Sequence, residues 1–490
     1  MIAALVLVPA LAGLAALLLR RDGPRRALLV ATSLAHLAMV ARSWWQTPAP
    51  SRGGWFALDA AGLLFLTITS VLFAVAALYA VGYLAREAHA PRADFEEGTL
   101  FANGPEAVLT GCLLLFLATM TLVTVSQHLG MLWVAVEATT LASAPLIFFH
   151  RHHRSLEATW KYLLICSVGI AVALLGNFFL AIAAAGRAPG SGSMVLSELI
   201  AGAPAFHTRW LKAAFVLLLV GYGTKMGLAP LHTWLPDAHA ESPSVVSALL
   251  SGALLNCAFL AVLRGYQVLV PAGLAEFGGG LLTGLGLLSM VVAAVFIVGQ
   301  ADFKRMLAYS SVEHIGILAV GIGIGGAGIF GALLHAVNHS LTKAMLFMLA
   351  GNIVAAYKSK STTTVRGVAA RLPVTGALWI AGLFAITGSP PFGPFMSELV
   401  ILKAAFDGGR TAVAVTTLVL LAVVFVGMGR IMLAMAHGGA AGEVAPGGPE
   451  RALSFVPPAL LGALVLLLGV VVPIPLASLL HAAARLFGGA

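Results

Sequence analysis

Runs of about 20 apolar residues follow one another along this chain, and that repetition restricts its fold more than any motif does. They occur near 2–19, 27–45, 58–84, 104–126, 129–149, 158–185, 209–235 and 244–266. They continue near 275–299, 306–324, 327–356, 374–405, 411–436 and 452–472. Each is long enough to cross a hydrocarbon core as a helix, which gives about fourteen spans. A chain of 490 residues that is 60% hydrophobic and only 10% charged cannot hide so much apolar surface in a water-soluble core. The fold class is an all-α polytopic membrane protein, with the lipid bilayer as its first partner.

In this setting the net charge of +9 describes loop topology and not a nucleic-acid surface, and no nucleic acid is expected as a partner. Alternate threading puts Arg20, Arg21, Arg25, Arg26, Arg86, Arg92, Arg151, Arg154, Lys304, Arg305, Lys358, Lys360, Arg366, Arg371 and Arg451 on one side. The other side holds Arg42, Arg52, Arg187, Arg264, Arg410 and Arg485. The positive-inside rule makes the richer side cytoplasmic and both termini periplasmic, in a multi-pass protein of the bacterial inner membrane. The first run lacks a basic stretch before it and has four arginines after it, so an uncleaved helix is expected in place of a signal peptide. Cys112, Cys166 and Cys257 all lie in apolar runs without CxxC spacing. They predict inert core thiols and no iron–sulfur cluster, disulfide, metal or other cofactor.

Two spans are interrupted. In 221–243 an apolar run meets Lys225 and then Pro230, followed by His232, Asp237, His239 and Glu241. Proline removes a backbone donor and clashes with the preceding turn, so the helix breaks near 226–230. A broken helix and an ionisable lysine at membrane depth are tolerated where protein or water covers them, which marks a hydrated proton or ion path. The twelfth span breaks at Gly388-Ser-Pro-Pro-Phe-Gly-Pro394, just before Glu398 and Lys403. Breaks five spans apart predict two inverted five-helix repeats with discontinuous helices seven and twelve. The expected units are residues 1–103 (helices one to three), 104–270 and 271–437 (the repeats), and 438–490 (a loop and helix fourteen). His437–Arg451 is expected to be a cytoplasmic loop.

Glu137 stands alone in the otherwise apolar fifth span, so pairing with a cation is expected, from Lys225 or from Lys161 at the start of the sixth. Lys161 fits an interfacial position equally well. His335, His339 and Lys343 recur every four residues and share one helix face. The histidine pair has zinc-like spacing, but no acidic third ligand follows as in HExxH, and a lysine stands beside it. A proton wire is favoured, because imidazole titrates near working pH and has two nitrogens to pass a proton between. His314 either joins this wire or forms a near-surface pair with Glu313. Two decoys are set aside. Gly321-Ile-Gly-Ile-Gly-Gly326 matches GxGxxG but joins two membrane helices and follows no strand. His150-Arg-His-His-Arg154 lies in a basic loop and is expected to serve topology.

Together Glu137-Ala-Thr-Thr-Leu, Leu156-Glu-Ala-Thr-Trp-Lys-Tyr, Gly223-Thr-Lys-Met-Gly-Leu and His232-Thr-Trp-Leu-Pro-Asp-Ala-His form a specific set. Asp302-Phe-Lys-Arg-Met-Leu-Ala-Tyr-Ser-Ser-Val-Glu, the row from His335 to Lys343, and Pro390-Pro-Phe to Glu398 complete it. The chain resembles the antiporter-like subunits of respiratory complex I, within them the branch of hydrogenase-4 component F and formate hydrogenlyase-type membrane subunits. The resemblance covers nearly the whole chain and is strongest over about 130–400. It implies that Glu137 and Lys225 pair in a first half-channel. His335, His339 and Lys343 would form a central hydrophilic axis, with Glu398 the acid of a second half-channel. It also implies proton translocation driven by redox chemistry in partner membrane and peripheral subunits, with no catalytic or redox chemistry in this chain. The chain departs from the family at the eighth span, where related subunits carry a Lys or His. Here Val245–Leu263 offers only Ser247, Ser251 and Asn256. A continuous wire between the halves would then use water, or coupling is weaker than in those relatives. The rival readings are a secondary cation/proton antiporter or ion-uptake module of the same fold, and a passive anchor whose channel has decayed.

Overall fold

The computed structural model describes residues 1–87, 91–95, 97–186, 192–439 and 450–489. Arg187 and most of the His437–Arg451 loop therefore lie outside the described residues. Three helices open the chain: α1 (Ile2–Leu18), α2 (Asp22–Trp45) and α3 (Ala60–Leu84). A two-stranded antiparallel hairpin, β1 (Arg92–Ala93) and β2 (Leu100–Phe101), leads into α4 (Glu106–Val125), α5 (Leu129–Ile147) and α6 (His153–Ala184). The short α7 (Leu196–Gly202) precedes α8 (Thr208–Met226) and α9 (Trp234–Glu241). Then α10 (Ser244–Leu249) runs through a π-helical turn, Leu250–Leu254, into α11 (Leu255–Leu269). The second half comprises α12 (Ala275–Ile297), α13 (Phe303–Ile324), α14 (Ala327–Tyr357), α15 (Val368–Arg371), α16 (Pro373–Ile386), α17 (Gly393–Asp407) and α18 (Thr411–His437). The chain closes with α19 (Ala452–Val470) and α20 (Ile474–Arg485).

Among the described residues, 11 helices are long and apolar enough to cross a membrane, and α1 and α16 are shorter apolar helices. Local chemistry sets several starts. Asp59 accepts from the Gly62 N–H ahead of α3, and Asp302 accepts from Lys304 and Arg305 N–H ahead of α13. His128 and His152 do the same for α5 and α6. The sequence reading did not name α20, a 12-residue helix whose His481 stacks on Phe330 at 4.5 Å. It is too short to register as a span, and only one of its faces is apolar.

The α10–α11 rod lies at the centre, and its most apolar window is 100% buried. Around it, small residues let helices approach closely. A Cβ at Gly286 would lie 2.7 Å from the Gly316 carbonyl, and one at Gly279 2.7 Å from that of Gly323, so α12 and α13 meet backbone to backbone. Gly169 and Gly221 do the same for α6 and α8. The GxGxxG decoy is explained: Gly321 and Gly323 are helix contacts, while Gly325 and Gly326, with φ of 81° and 52°, make the turn into α14.

Both expected breaks are present. The α8 helix stops at Gly227, whose φ is 88°, and the chain resumes as α9. The freed groups find partners: Trp234 Nε1 donates to the Thr224 carbonyl at 2.8 Å, and the Ala229 N–H donates to Ser289 Oγ of α12 at 2.9 Å. The second break, between α16 and α17, passes Gly388 with φ of 62°. Loops that alternate threading puts on one face do touch. Phe56 bridges Ser126 and His128 bridges Val195 on one side, while Asn103 bridges His150 and Asp302 bridges Ser361 on the other.

Candidate functional site: two buried polar clusters

Lys225, in the last turn of α8, is fully buried. Its Nζ donates to Thr140 Oγ1 at 2.7 Å and to Tyr162 OH at 2.5 Å, and lies 4.3 Å from the centre of the Tyr162 ring. Thr140 in turn donates to Glu137 Oε2 at 3.2 Å, and Ser167 Oγ donates to Oε1 at 2.9 Å. The expected contact between Glu137 and Lys225 is therefore relayed through one hydroxyl and is not a direct ion pair. Threonine can do this because its oxygen accepts from the ammonium while its proton goes to the carboxylate. Glu137 is half-buried, one turn from the exposed Val134 and Leu141.

Lys161 belongs elsewhere. It pairs with Glu157 at 2.6 Å and Asp237 at 2.8 Å, and Arg305 joins Asp237 at 2.7 Å. The reason is position: Lys161 lies two turns into α6, near the end that carries the basic loop. His232 is buried in the turn between α8 and α9, with its ring 6.2 Å from that of Tyr309. His239 in α9 is fully buried, stacked on Phe347 at 5.2 Å, and neither ring nitrogen has a protein hydrogen-bond partner.

The second cluster is built on α13, α14 and α17. His335, His339 and Lys343 line one face of α14 and are all fully buried. Lys343 Nζ donates to the Leu307 carbonyl at 2.6 Å and also to Ser310 Oγ. His314 Nδ1 lies 2.8 Å from His335 Nε2, His335 Nδ1 lies 2.9 Å from Ser397 Oγ, and the ring of His339 is 5.0 Å from that of His314. The Nε2 of His314 donates to the Ile386 carbonyl at 3.0 Å, so a site histidine satisfies the last turn of α16 at the break. Glu398 is buried on α17, and Glu313 is buried beside His314. The near-surface alternative for Glu313 and His314 is thereby corrected. Lys403 lies outside the cluster: its side chain is exposed and paired with Asp407.

Between the clusters, the central rod contributes hydroxyl and amide contacts. Ser251 Oγ lies 2.9 Å from Ser311 Oγ of α13, and Asn256 Nδ2 donates to Ser340 Oγ of α14 at 2.6 Å. Ser247 Oγ donates to the His239 carbonyl at 2.9 Å. Sequence reasoning missed Thr140, Tyr162, Ser310 and Ser397, whose roles depend on partners in other helices. Glu313 was read from the sequence only as an alternative near-surface partner of His314, and its burial beside that histidine shows when α13 is placed against α14.

On the face with the basic loops, a cavity of about 450 Å³ is lined by Glu87, Asp94, His150, His152, Arg154, Glu241, Lys304 and Lys360, among others. Lys360 pairs with Glu241 at 2.9 Å, and Lys304 Nζ donates to the Ser242 and Ala240 carbonyls at 2.7 and 3.1 Å.

Residues 126–425 match the family described as NADH:quinone oxidoreductase/Mrp antiporter, TM. This chain belongs to that family. It is 38% identical over 357 residues to a hydrogenase-4 component F homolog of Methylacidiphilum infernorum, covering 72% of this chain and 73% of that protein. It is 28% identical to hydrogenase-4 component B of Escherichia coli over 72% of this chain, which spans only 51% of that longer protein. In fold it resembles a chain of an archaeal membrane-bound sulfane sulfur reductase, with a TM-score of 0.86, 22% identity, and coverage of 100% of this chain and 98% of that one.

Proposed function

We propose that this chain is a proton-translocating membrane subunit of a complex-I-like hydrogenase or formate hydrogenlyase assembly. It would couple redox chemistry in partner subunits to proton movement and perform no redox chemistry itself. The observation that carries the reading is the pair of buried clusters. Two fully buried lysines, Lys225 and Lys343, are each solvated by hydroxyls and carbonyls, and each has a glutamate in the same cluster. Idle charges at such depth are easily replaced by apolar residues without loss, which argues against a decayed anchor. Family membership and the likeness to hydrogenase-4 component F support the assembly.

The proton would pass between Glu137 and Lys225 through Thr140, and then along His239, Lys343, His339, His335 and His314 to Glu398. Ser251 and Asn256 would hold the water that joins the halves. The fold would comprise fourteen spans, counting α8–α9 and α16–α17 as one broken span each. The units would be 1–103, 104–270, 271–437 and 438–490, the two middle ones inverted repeats, with both termini periplasmic. The family's name also covers the Mrp antiporter, so sodium–proton exchange is the second reading. Dye-reported proton uptake in inside-out vesicles, normalised to hydrogenase turnover, separates the readings. Glu137→Gln abolishes uptake while turnover partly survives. Wild-type uptake per electron in that variant would reduce Glu137 to a structural carboxylate, and uptake driven by a sodium gradient alone would favour exchange.

A further inference from the structure

A metal was disfavoured in the sequence because the His335/His339 pair has no acidic third ligand on its own helix. Folding brings one from another element. One nitrogen of His314, one of His335 and one carboxylate oxygen of Glu398 all lie within 4.8 Å of one another, and all three residues are buried. They project from α13, α14 and α17.

The direction of the rings matters as much as the distance. His314 Nε2 faces the Ile386 carbonyl at 3.0 Å, and a carbonyl only accepts, so this nitrogen carries the proton. Ser397 Oγ lies 2.9 Å from His335 Nδ1 and also 2.9 Å from the Pro394 carbonyl. The hydroxyl has one proton to give. When Pro394 receives it, His335 Nδ1 must be the donor to Ser397, and Nε2 of the neutral ring is then a bare lone pair. His314 Nδ1 and His335 Nε2, 2.8 Å apart, would then be two lone pairs aimed at one another, an arrangement that either a shared proton or a metal cation between them relieves. Metal-ligating histidines are oriented in this way, with the outer N–H donated to a carbonyl or similar acceptor and the free nitrogen turned to the ion. Glu398 supplies the third ligand: its Oε1 is buried with no protein hydrogen-bond partner, and a bound dication would displace the carboxyl proton and hold the group as a carboxylate.

We propose that His314, His335 and Glu398 form a divalent transition-metal site suited to Zn²⁺, and that metal bound there competes with the proton this cluster carries. Two imidazoles and one carboxylate match the ligand preference of zinc and leave a fourth position for water, whereas Ca²⁺ and Mg²⁺ call for oxygen ligands throughout. Bonds of about 2.0–2.1 Å put tetrahedral ligands about 3.3 Å apart, so the two rings part by about half an ångström while Glu398 closes in. Binding stands apart from the transport reading, and only the competition rests on it.

The test titrates the purified full-length chain with Co²⁺, in a background carrying His150→Gln and His152→Asn to remove loop imidazoles. The expected result is one Co²⁺ per chain with the intense visible absorption of four-coordinate cobalt, displaced by Zn²⁺. Glu398→Gln and His335→Gln should each weaken binding at least about tenfold, as loss of a ligand does, while His481→Gln leaves it unchanged. A weak six-coordinate spectrum, which needs no variant to observe, overturns the site. So does affinity that neither Glu398→Gln nor His335→Gln alters. In vesicles, Zn²⁺ bound at saturation should stop wild-type proton uptake, and undiminished uptake overturns the competition while the site stands. A wild-type chain that moves no protons would refute the transport reading and leave the cobalt result untouched.

Discussion

The Lys225 side chain touches hydroxyls and no carboxylate, and that choice of neighbours would suit the change of charge that the proposed transport requires of it. A direct buried ion pair is locked, because separating it leaves each charge desolvated. Thr140 and Tyr162 hydrogen-bond the lysine in either protonation state and leave Glu137 one hydroxyl away. A hydrogen bond to a charged group is worth about 1.5–3 kcal/mol, so Thr140→Val should lower proton uptake per electron about tenfold. Thr140→Ser should restore most of it, and equal uptake in the two variants would remove the relay. In the second cluster, His335→Leu together with His339→Leu should leave an assembled complex that no longer pumps, read by co-purification of the partner subunits and by proteoliposome uptake. Normal pumping would route the axis elsewhere. These residues were legible one by one from their depth in apolar runs. Their partners were not, since a buried threonine or tyrosine resembles any other core residue until a second helix is placed against it.

At the scale of elements, the two helix breaks organise the site. Pro230 and the 388–394 stretch announced them in sequence, because proline and glycine act on the local backbone. What repairs each break is long-range and was invisible: the Trp234 indole on the Thr224 carbonyl, Ser289 on the Ala229 N–H, and His314 on the Ile386 carbonyl. Trp234→Phe should therefore cost about 1–3 kcal/mol through one unpaired buried carbonyl, seen as a lower thermal midpoint of the purified chain. An unchanged midpoint would mean that this carbonyl needs no partner. The π turn at Leu250–Leu254 was equally hidden, although it contains Ser251 and lies between Ser247 and Asn256, the polar residues read from that helix. Asn256 bonds Ser340 across the central rod, and its Oδ1 has no protein partner. Asn256→Leu should reduce the proton-to-electron ratio if this amide holds the linking water, and an unchanged ratio would leave the two halves independent.

For the whole molecule, the polytopic helical class was readable because the bilayer dictates long apolar helices, and the loops that touch are ones that alternating spans would put on one face. Lys403 shows the limit: its proximity in sequence to Glu398 said nothing about which way it faced. The basic face also carries a pH dependence. Burial pushes the Glu87 carboxyl up, but His150, Arg92 and Tyr83 outweigh it and hold it below the ordinary range. A depressed carboxylate stabilises the fold fully above its unfolded value, near pH 4.3, and loses that contribution as pH falls toward the folded value. Glu87→Gln should thus destabilise the chain at pH 7, with the difference from wild type shrinking at pH 3. A constant difference would assign the loss to packing. The central claim, that buried titratable side chains of this subunit carry the protons, is tested most directly at Lys343, fully buried between α13 and α14. The measurement is proton uptake per electron in vesicles containing the complete complex with Lys343→Met. The account predicts uptake at the leak level while partner redox turnover continues. A wild-type proton-to-electron ratio in that variant would contradict it.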